Sequence, residues 1–443
     1  MTKSNKGIKR INVFGKFYQF DTNNIVLYSD DAPTPYCKPE QQKKHSPINN
    51  GPRAMVLNVT HQCNLACKYC FVRNYYPDQL PRMSIETAIK GLGMFQKPVA
   101  GRYIGENSYA LSFFGGEPLM EWELIKQTTL TFEQMCKFAG AQGRVHITTN
   151  GTLLDDEKMQ FISSHGFSLI VSCDGPAHLH DDMRPHRDGK GSHSEVLRAL
   201  TLVAKYPNVA KRTTIRGTFT AKNINLLERL KHNNELMMLG CAQNVSVEPA
   251  SIMSEGCACL KDGHELSFTS KHYKEVKREY KECADYQIEQ IKSGKPKLSW
   301  AQVDKMVNRI LKRQATCNEC GAGNGYWTIG PKGDIYPCHR EGEPIGHVDS
   351  GIDEEKRWQW LDNRRYTHPH CNNCWARNVC GGGCRKDAQD ATGSIFGQNK
   401  MACAVRKIWI KCAIHIITNI GNELAVRHFA PELLKKNSQS CKR

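Results

Sequence analysis

The chain has 443 residues, 61 Lys and Arg against 44 Asp and Glu, a formal charge of +17 and 20 cysteines. That length allows two or three domains around a large core, and the lack of an apolar run of about 18 residues excludes a membrane-spanning helix. Met1–Asn12 is Lys-rich without an apolar centre, so no secretory signal is expected, a cytoplasmic setting follows, and cysteines at motif spacing are read as metal ligands rather than bridges.

Residues 11–29 alternate in a strand-like way, and Asp21-Thr-Asn-Asn24 offers turn chemistry, which predicts one short β-hairpin. Residues 30–52 are Pro-rich and polar and read as a connector. From residue 53 six apolar runs read as buried strands: Ala54–Val59, Tyr109–Phe114, Val145–Thr149, Ser168–Ser172, Thr213–Thr218 and Val245–Val247. Between them lie helical stretches at Ser84–Gln96, Glu121–Phe138, Asp155–His165, Ser194–Lys205 and Ile224–Leu239. Asp155 and Ser194 read as good helix starts. Ser84 lacks a Glu three residues on, so its capping box is incomplete. Strands alternating with helices imply a parallel sheet with right-handed crossovers, here an α/β partial (β/α)6 barrel.

In such folds ligands sit beyond the C-terminal strand ends. Cys63, Cys67 and Cys70 follow the first strand, and Gly115-Gly116-Glu117-Pro118 the second. Thr148-Thr149-Asn150-Gly151, Ser172-Cys173-Asp174-Gly175 and Glu248-Pro249 follow the third, fourth and sixth. One active site at the barrel mouth is therefore expected.

Residues 256–316 are Lys- and Glu-rich, with helices expected at Tyr273–Ile291 and Trp300–Arg313; Cys257 and Cys259 read as incidental loop thiols. The positive surplus favours an acidic partner, peptide or nucleic acid. However, Lys271–Lys281 and Lys292–Lys297 read as solvated helix faces without interleaved aromatics, which argues against nucleic acid. Eight further cysteines follow: Cys317, Cys320, Cys338, Cys371, Cys374, Cys380, Cys384 and Cys403. Ile408–Ile420 is apolar but interrupted by Lys411 and His415, a packed terminal helix.

A [4Fe–4S] cube needs four thiolates, so three at the front leave one iron open and eight at the back fill two more cubes. Zinc is the competing reading. Cys371, Cys374, Cys380 and Cys384 could form one tetrahedral site, and His61 could complete another with the front triplet.

The front motif Cys-x3-Cys-x2-Cys, with Tyr69 before its last cysteine, resembles the radical S-adenosylmethionine superfamily over about residues 50–250. The resemblance implies that Gly115, Gly116 and Glu117 hold the methionine amino group. It implies that Asn150, Ser172 and Asp174 contact the ribose and sulfonium side, and that Arg216 meets the carboxylate. Gly333-x4-Cys338 and the spacing from Cys371 to Cys403 resemble the cysteine-rich SPASM extension. That implies an interleaved ligation, Cys317, Cys320, Cys338 and Cys384 for one auxiliary cluster, and Cys371, Cys374, Cys380 and Cys403 for the other. The implied cofactors are S-adenosylmethionine and three [4Fe–4S] clusters, with an electron donor such as flavodoxin or ferredoxin.

The expected division is 1–52 hairpin and connector, 53–255 barrel, 256–316 helical linker, 317–425 SPASM domain and 426–443 polar tail. Enzymes of this layout mostly modify peptides, so the expectation is a maturase that forms a thioether or carbon–carbon crosslink in a ribosomal precursor peptide. Oxidation of a protein side chain by a sulfatase-maturing type of enzyme is the alternative, but the family's Asp after the Tyr-Pro-Cys step is His339 here. A zinc-dependent nucleic-acid-binding protein is the third reading. His339 is the candidate base, since imidazole titrates near neutrality.

Overall fold

The six apolar runs form parallel strands laid side by side in chain order: β5 (Ala54–Thr60), β6 (Ser108–Gly115), β7 (Gln142–Thr149), β8 (Ser168–Ser172), β9 (Thr213–Phe219) and β10 (Asn244–Pro249). The computed structural model describes residues 8–29, 32–33, 51–72, 80–95, 108–250, 265–316, 319–362 and 370–434. Cys257, Cys259, Cys317 and most of the connector lie outside the described residues. Register sets core residues abreast: Leu57 beside Phe113, Phe113 beside Ile147, Ile147 beside Leu169. All four are buried. Helices between the strands close over the sheet, as crossover connections require. The result is an open, partial barrel.

Helix starts depart from the sequence reading. Ser84 does cap its helix, Ile85–Leu92, accepting from Thr87 N at 3.1 Å without any Glu at the third position. Asp155 caps Asp156–Ser164 through Lys158 N at 2.9 Å. The next helix begins at His193 and not beyond Ser194; its N-cap residue is Ser192, whose hydroxyl donates to the Arg184 carbonyl at 2.6 Å instead of capping. A tertiary partner thus outcompetes the local cap.

The N-terminal hairpin is instead a four-stranded antiparallel sheet of β1 (Ile8–Val13), β2 (Lys16–Asp21), β3 (Val26–Ser29) and β4 (Ala32–Pro33). Val13 pairs with Lys16 across a two-residue turn, where Phe14 (φ 50°) and Gly15 (φ 99°) both take positive φ. That turn matches strand twist but places a phenylalanine where Asn or Asp is the usual signal. The expected second turn does form, with Asp21 Oδ1 accepting from Asn23 N and Asn24 N.

The barrel sheet does not end at β5. Strand β11 (Tyr326–Ile329) pairs parallel with β5, Tyr326 opposite Ala54 through Ile329 opposite Leu57. Antiparallel β12 (Asp334–Tyr336), β13 (Gly346–His347) and β14 (Gly351–Ile352) extend the same sheet to ten strands. Gly333 (φ 97°) turns the chain into β12, where a Cβ would lie 2.8 Å from His347 Nε2. Cys338 follows that strand directly. Helices Tyr273–Lys292 and Ala301–Leu311 pack on the barrel: Tyr280 stacks on Trp300 at 5.6 Å and lies 6.4 Å from Phe219, and Ser299 beside Trp300 accepts from Val245 N of β10. Helix Lys400–Ile420 packs beside them, and helix Asn422–Phe429 runs across the expected boundary at residue 425 with Val426 and Phe429 buried. Among the described residues no helix is long and apolar enough to cross a membrane.

Candidate active site

The loop after β5 carries three cysteines into the barrel mouth. Ala66 N and Lys68 N donate to the Pro185 and Met183 carbonyls at 2.8 and 3.0 Å, which ties the loop to the segment after β8. Gly115 and Gly116 let the loop after β6 run against it: added Cβ atoms would stand 2.2 Å from the Thr60 carbonyl and 2.0 Å from the Gln62 carbonyl. No other residue fits there. Cys63, Cys67 and Cys70 then line one cavity of about 220 Å³ with Tyr69, Gly115, Gly116, Glu117, Asn150, Ser172, Arg216 and His339. Burial pushes the Cys63 and Cys67 thiols up to about 12, and each is raised further by neighbouring cysteine charge. His61 does not join them, because its Nε2 pairs with buried Glu341 at 3.0 Å. The zinc arrangement that needed His61 is therefore not built.

Glu117 is buried and well supplied with donors. Its Oε1 accepts from Thr149 Oγ1 at 2.7 Å and Leu119 N at 3.1 Å, and Oε2 accepts from Asn150 N at 2.7 Å. Burial nevertheless raises its carboxyl to about 7, against those three bonds. A carboxylate offers about four acceptor positions, so one remains for a cation. Asn150 holds the cysteine loop as well as the cavity wall, donating to Asn64 Oδ1 at 2.9 Å and approaching Cys63 Sγ at 3.9 Å.

Asp174 departs from the expected ribose contact. It is fully buried and off the cavity wall. Oδ2 accepts from Tyr69 OH at 2.5 Å, and Oδ1 accepts from Thr218 N at 2.7 Å and lies 3.0 Å from Arg184 Nε. The same Arg184 sits over the Tyr69 ring at 5.3 Å and reaches the cavity. Asp174 thus fixes Tyr69 and Arg184 instead of facing the ligand. The sequence reading missed Arg184; its position in the loop after Asp-Gly gave no local signal.

Arg216 pairs with Glu248 at 3.0 Å, and Glu248 is held by Gln302 and Ser246. Coulombic attraction by Arg216 and the hydrogen bonds outweigh desolvation and keep the Glu248 carboxyl below its ordinary range. Across the cavity stands His339, its ring edge-on to Phe114 at 5.1 Å. Burial, then Arg216 and Arg340, push its imidazole down to about 3. It is neutral near pH 7 but a weak proton acceptor, which counts against the expected base role. Arg340 and Asp390 complete that wall.

The back cysteines fall into two neighbourhoods. Cys371 lies within electrostatic reach of Cys380, Cys374 and Cys403, and these four line a second cavity of about 60 Å³. Cys384 borders that cavity, but its thiol senses Cys338, as does that of Cys320. Cys403 therefore stands with Cys371, Cys374 and Cys380, and Cys384 stands between the two neighbourhoods. Arg340 Nη2 approaches Cys384 Sγ at 3.7 Å, and Gln398 Nε2 approaches Cys403 Sγ at 3.5 Å, contacts of the kind that tune cluster sulfurs.

Residues 57–219 match the family model described as the radical SAM superfamily. The chain is 22% identical to the radical SAM cyclopropyl synthase TigE of Paramaledivibacter caminithermalis, over 91% of this chain and 83% of that protein. It is 21% identical to a cysteine-type anaerobic sulfatase-maturating enzyme of Clostridium perfringens, over 84% of this chain and 98% of that one. This chain carries a radical SAM domain, and the proteins it resembles are SPASM-type radical SAM enzymes. Its fold is similar to the solved structure of anSMEcpe with bound AdoMet and a Cp18Cys peptide, with TM-score 0.65, 21% identity and coverage of 84% of this chain and 99% of that one. Radical SAM enzymes bind S-adenosylmethionine and a [4Fe–4S] cluster, and SPASM enzymes carry auxiliary clusters. The donor sets fit them: three thiols and no fourth cysteine line the front cavity among the described residues, and thiols gather separately at the back.

Proposed function

We propose that this radical SAM enzyme is a peptide maturase that forms an intrapeptide thioether or carbon–carbon crosslink in a ribosomal precursor peptide. One observation carries the reading. A single cavity runs from Cys63, Cys67 and Cys70 to His339, Arg340 and Asp390 of the back half, so both halves face whatever enters. The likeness to the cyclopropyl synthase TigE and the cysteine groups support it, while the likeness to the sulfatase-maturating enzymes supports the second reading given below.

In this reading Cys63, Cys67 and Cys70 hold the front cluster. Gly115, Gly116, Glu117, Asn150, Ser172 and Arg216 hold S-adenosylmethionine, with Tyr69, Asp174 and Arg184 positioning that wall. When bound, S-adenosylmethionine would supply, with one electron from a donor such as flavodoxin or ferredoxin, a 5′-deoxyadenosyl radical able to take one hydrogen atom from the peptide; the second electron of the crosslink would pass to an auxiliary cluster and the proton to solvent. Glu117 offers its remaining acceptor position to the cofactor ammonium, a charge-assisted bond. Cys320, Cys338 and Cys384 with Cys317, and Cys371, Cys374, Cys380 and Cys403, hold auxiliary clusters. His339 and Phe114 shape the substrate side, where the neutral imidazole accepts a hydrogen bond.

Asp390 favours a second reading, side-chain oxidation of the sulfatase-maturing kind, because it brings a carboxylate to the cavity that His339 does not. It is already bound to Lys386 at 2.5 Å and near Arg340, which weakens it as a base. Anaerobic reaction of candidate precursor peptides with reductant and S-adenosylmethionine, followed by mass spectrometry, separates the readings. Loss of two hydrogens with a linked fragment pair supports crosslinking. An aldehyde in place of a thiol or hydroxymethyl supports the second reading, and unchanged mass with deuterium uptake overturns both.

A further inference from the structure

Away from the cluster cysteines, Cys173, His193 and His232 bring one sulfur and two imidazoles together, with their ligand atoms all within 4.8 Å of one another. They come from three separate elements: the end of β8, the first residue of helix His193–Ala204 and the middle of helix Leu226–Leu236. We propose that this cluster is a structural zinc site that pins those two helices to the barrel rim.

The geometry is that of a ligand set. His193 Nε2 and His232 Nε2 face each other at 3.2 Å. Two imidazoles bound at 2.0–2.1 Å to a tetrahedral zinc have nitrogens about 3.3 Å apart. His193 is also hydrogen-bonded to the Gly175 backbone, the kind of outer contact that orients a ligating ring and fixes its tautomer. Cys173 is fully buried and His193 nearly so, while His232 is half-buried, which gives a metal a path in from solvent. A neutral imidazole has one unprotonated ring nitrogen, and a tautomer shift of one ring would free the Nε2 atoms of both for a metal in place of their mutual hydrogen bond. Binding would release the Cys173 thiol proton to solvent, leaving a thiolate on the metal. The fourth position falls to water or to Cys241, whose charge reaches Cys173 and whose thiol now faces the Leu236 carbonyl at 3.0 Å.

This site lies outside the cluster-binding cysteines and does not depend on what the peptide is. Its neighbour in sequence, Asp174, holds Tyr69 and Arg184, so a metal at Cys173 would stiffen the supports of the cavity wall.

The test uses anaerobically purified holoenzyme with its clusters intact, freed of loose metal by chelator and gel filtration. Elemental analysis is expected to find about one zinc per chain besides the iron. Cys173→Ser, His193→Gln and His232→Gln should each lose most of that zinc while the iron content stays unchanged. Wild-type enzyme with neither zinc nor tight binding of added Co(II) would overturn the proposal and leave a plain His–His hydrogen bond. Zinc that survives all three substitutions would do the same. X-ray absorption at the zinc edge of the wild type decides even if the variants fail to fold. A shell of two imidazoles with one or two sulfurs supports the site, and an all-sulfur shell places the zinc in the cluster cysteines and overturns it.

Discussion

Asp174 holds a buried arginine, a tyrosine hydroxyl and a backbone N–H at once. Replacing it with Asn leaves Arg184 buried without its counter-charge, a loss that costs about 3–5 kcal/mol. Anaerobic urea unfolding of Asp174→Asn should show that drop, while Ser172→Ala on the cavity wall stays within about 0.5 kcal/mol of the wild type. Equal stability of Asp174→Asn with only weaker cofactor binding would restore the ribose role. Gly116→Ala is a second test at this scale. Its Cβ would meet the Gln62 carbonyl, backbone on backbone, and push the cysteine loop away. Iron should fall by about four per chain and cofactor cleavage should vanish, with about eight irons retained at the back. A third concerns His146 on β7, whose imidazole burial and Arg144 hold below its ordinary value. The unfolded chain then binds more protons below pH 6.5, so the His146 contribution is complete above that pH and shrinks as pH falls. His146→Gln should flatten the stability loss between about pH 7 and pH 5, by less than about 1.4 kcal/mol per unit. Parallel pH profiles for both proteins would refute that. At this scale the cysteines and Gly115-Gly116 were legible because their chemistry is local. The partners of Asp174 were not legible, because Asp-Gly at a strand end looks the same facing a ligand or facing Arg184.

Elements defined by long periodic runs were read well, because burial on both faces of a parallel strand leaves an apolar run whatever surrounds it. The six barrel strands and the helices Tyr273–Lys292 and Ala301–Leu311 are of that kind. Short elements were not: the Phe14-Gly15 turn lacks the usual Asn or Asp, and the start at His193 is set by the bond from Ser192 to Arg184. The N-terminal sheet also has a role that its sequence did not display. Phe20 is fully buried edge-on to Trp375 at 6.1 Å, Asn378 donates to the Thr22 carbonyl, and Tyr18 meets Thr418. These contacts make the sheet a brace beneath Cys374 and Cys380. Phe20→Ala should cost about 3–5 kcal/mol by cavity formation. Iron should leave the back cysteines of this variant faster under chelator than the front ones. Equal release from front and back would mean that the sheet supports the chain only generally.

The ten-stranded sheet makes the two halves one body. An expected boundary near residue 255 cuts through shared structure, because β5 borrows its edge partner from β11 and the β9–β10 wall is covered by residues 265–311. Phe219 lies under Phe268 at 5.7 Å and near Tyr280, Val245 N donates to Ser299 Oγ at 2.9 Å, and Gln302 reaches Glu248 at 2.7 Å. Local sequence could not reveal the β5–β11 pairing, since a four-residue strand some 270 positions away carries no register signal of its own. A fragment of residues 1–255 would present an unpaired β5 edge and a bare apolar β9–β10 face, the combination that drives aggregation. Gel filtration should find it insoluble or in large assemblies, and co-expression with residues 256–443 should return a soluble complex that binds iron at all three cysteine groups. A monomeric 1–255 fragment with its own cooperative unfolding would show that the shared sheet is dispensable. In that case the facing of His339, Arg340 and Asp390 toward the front thiols would need some other tie between the halves.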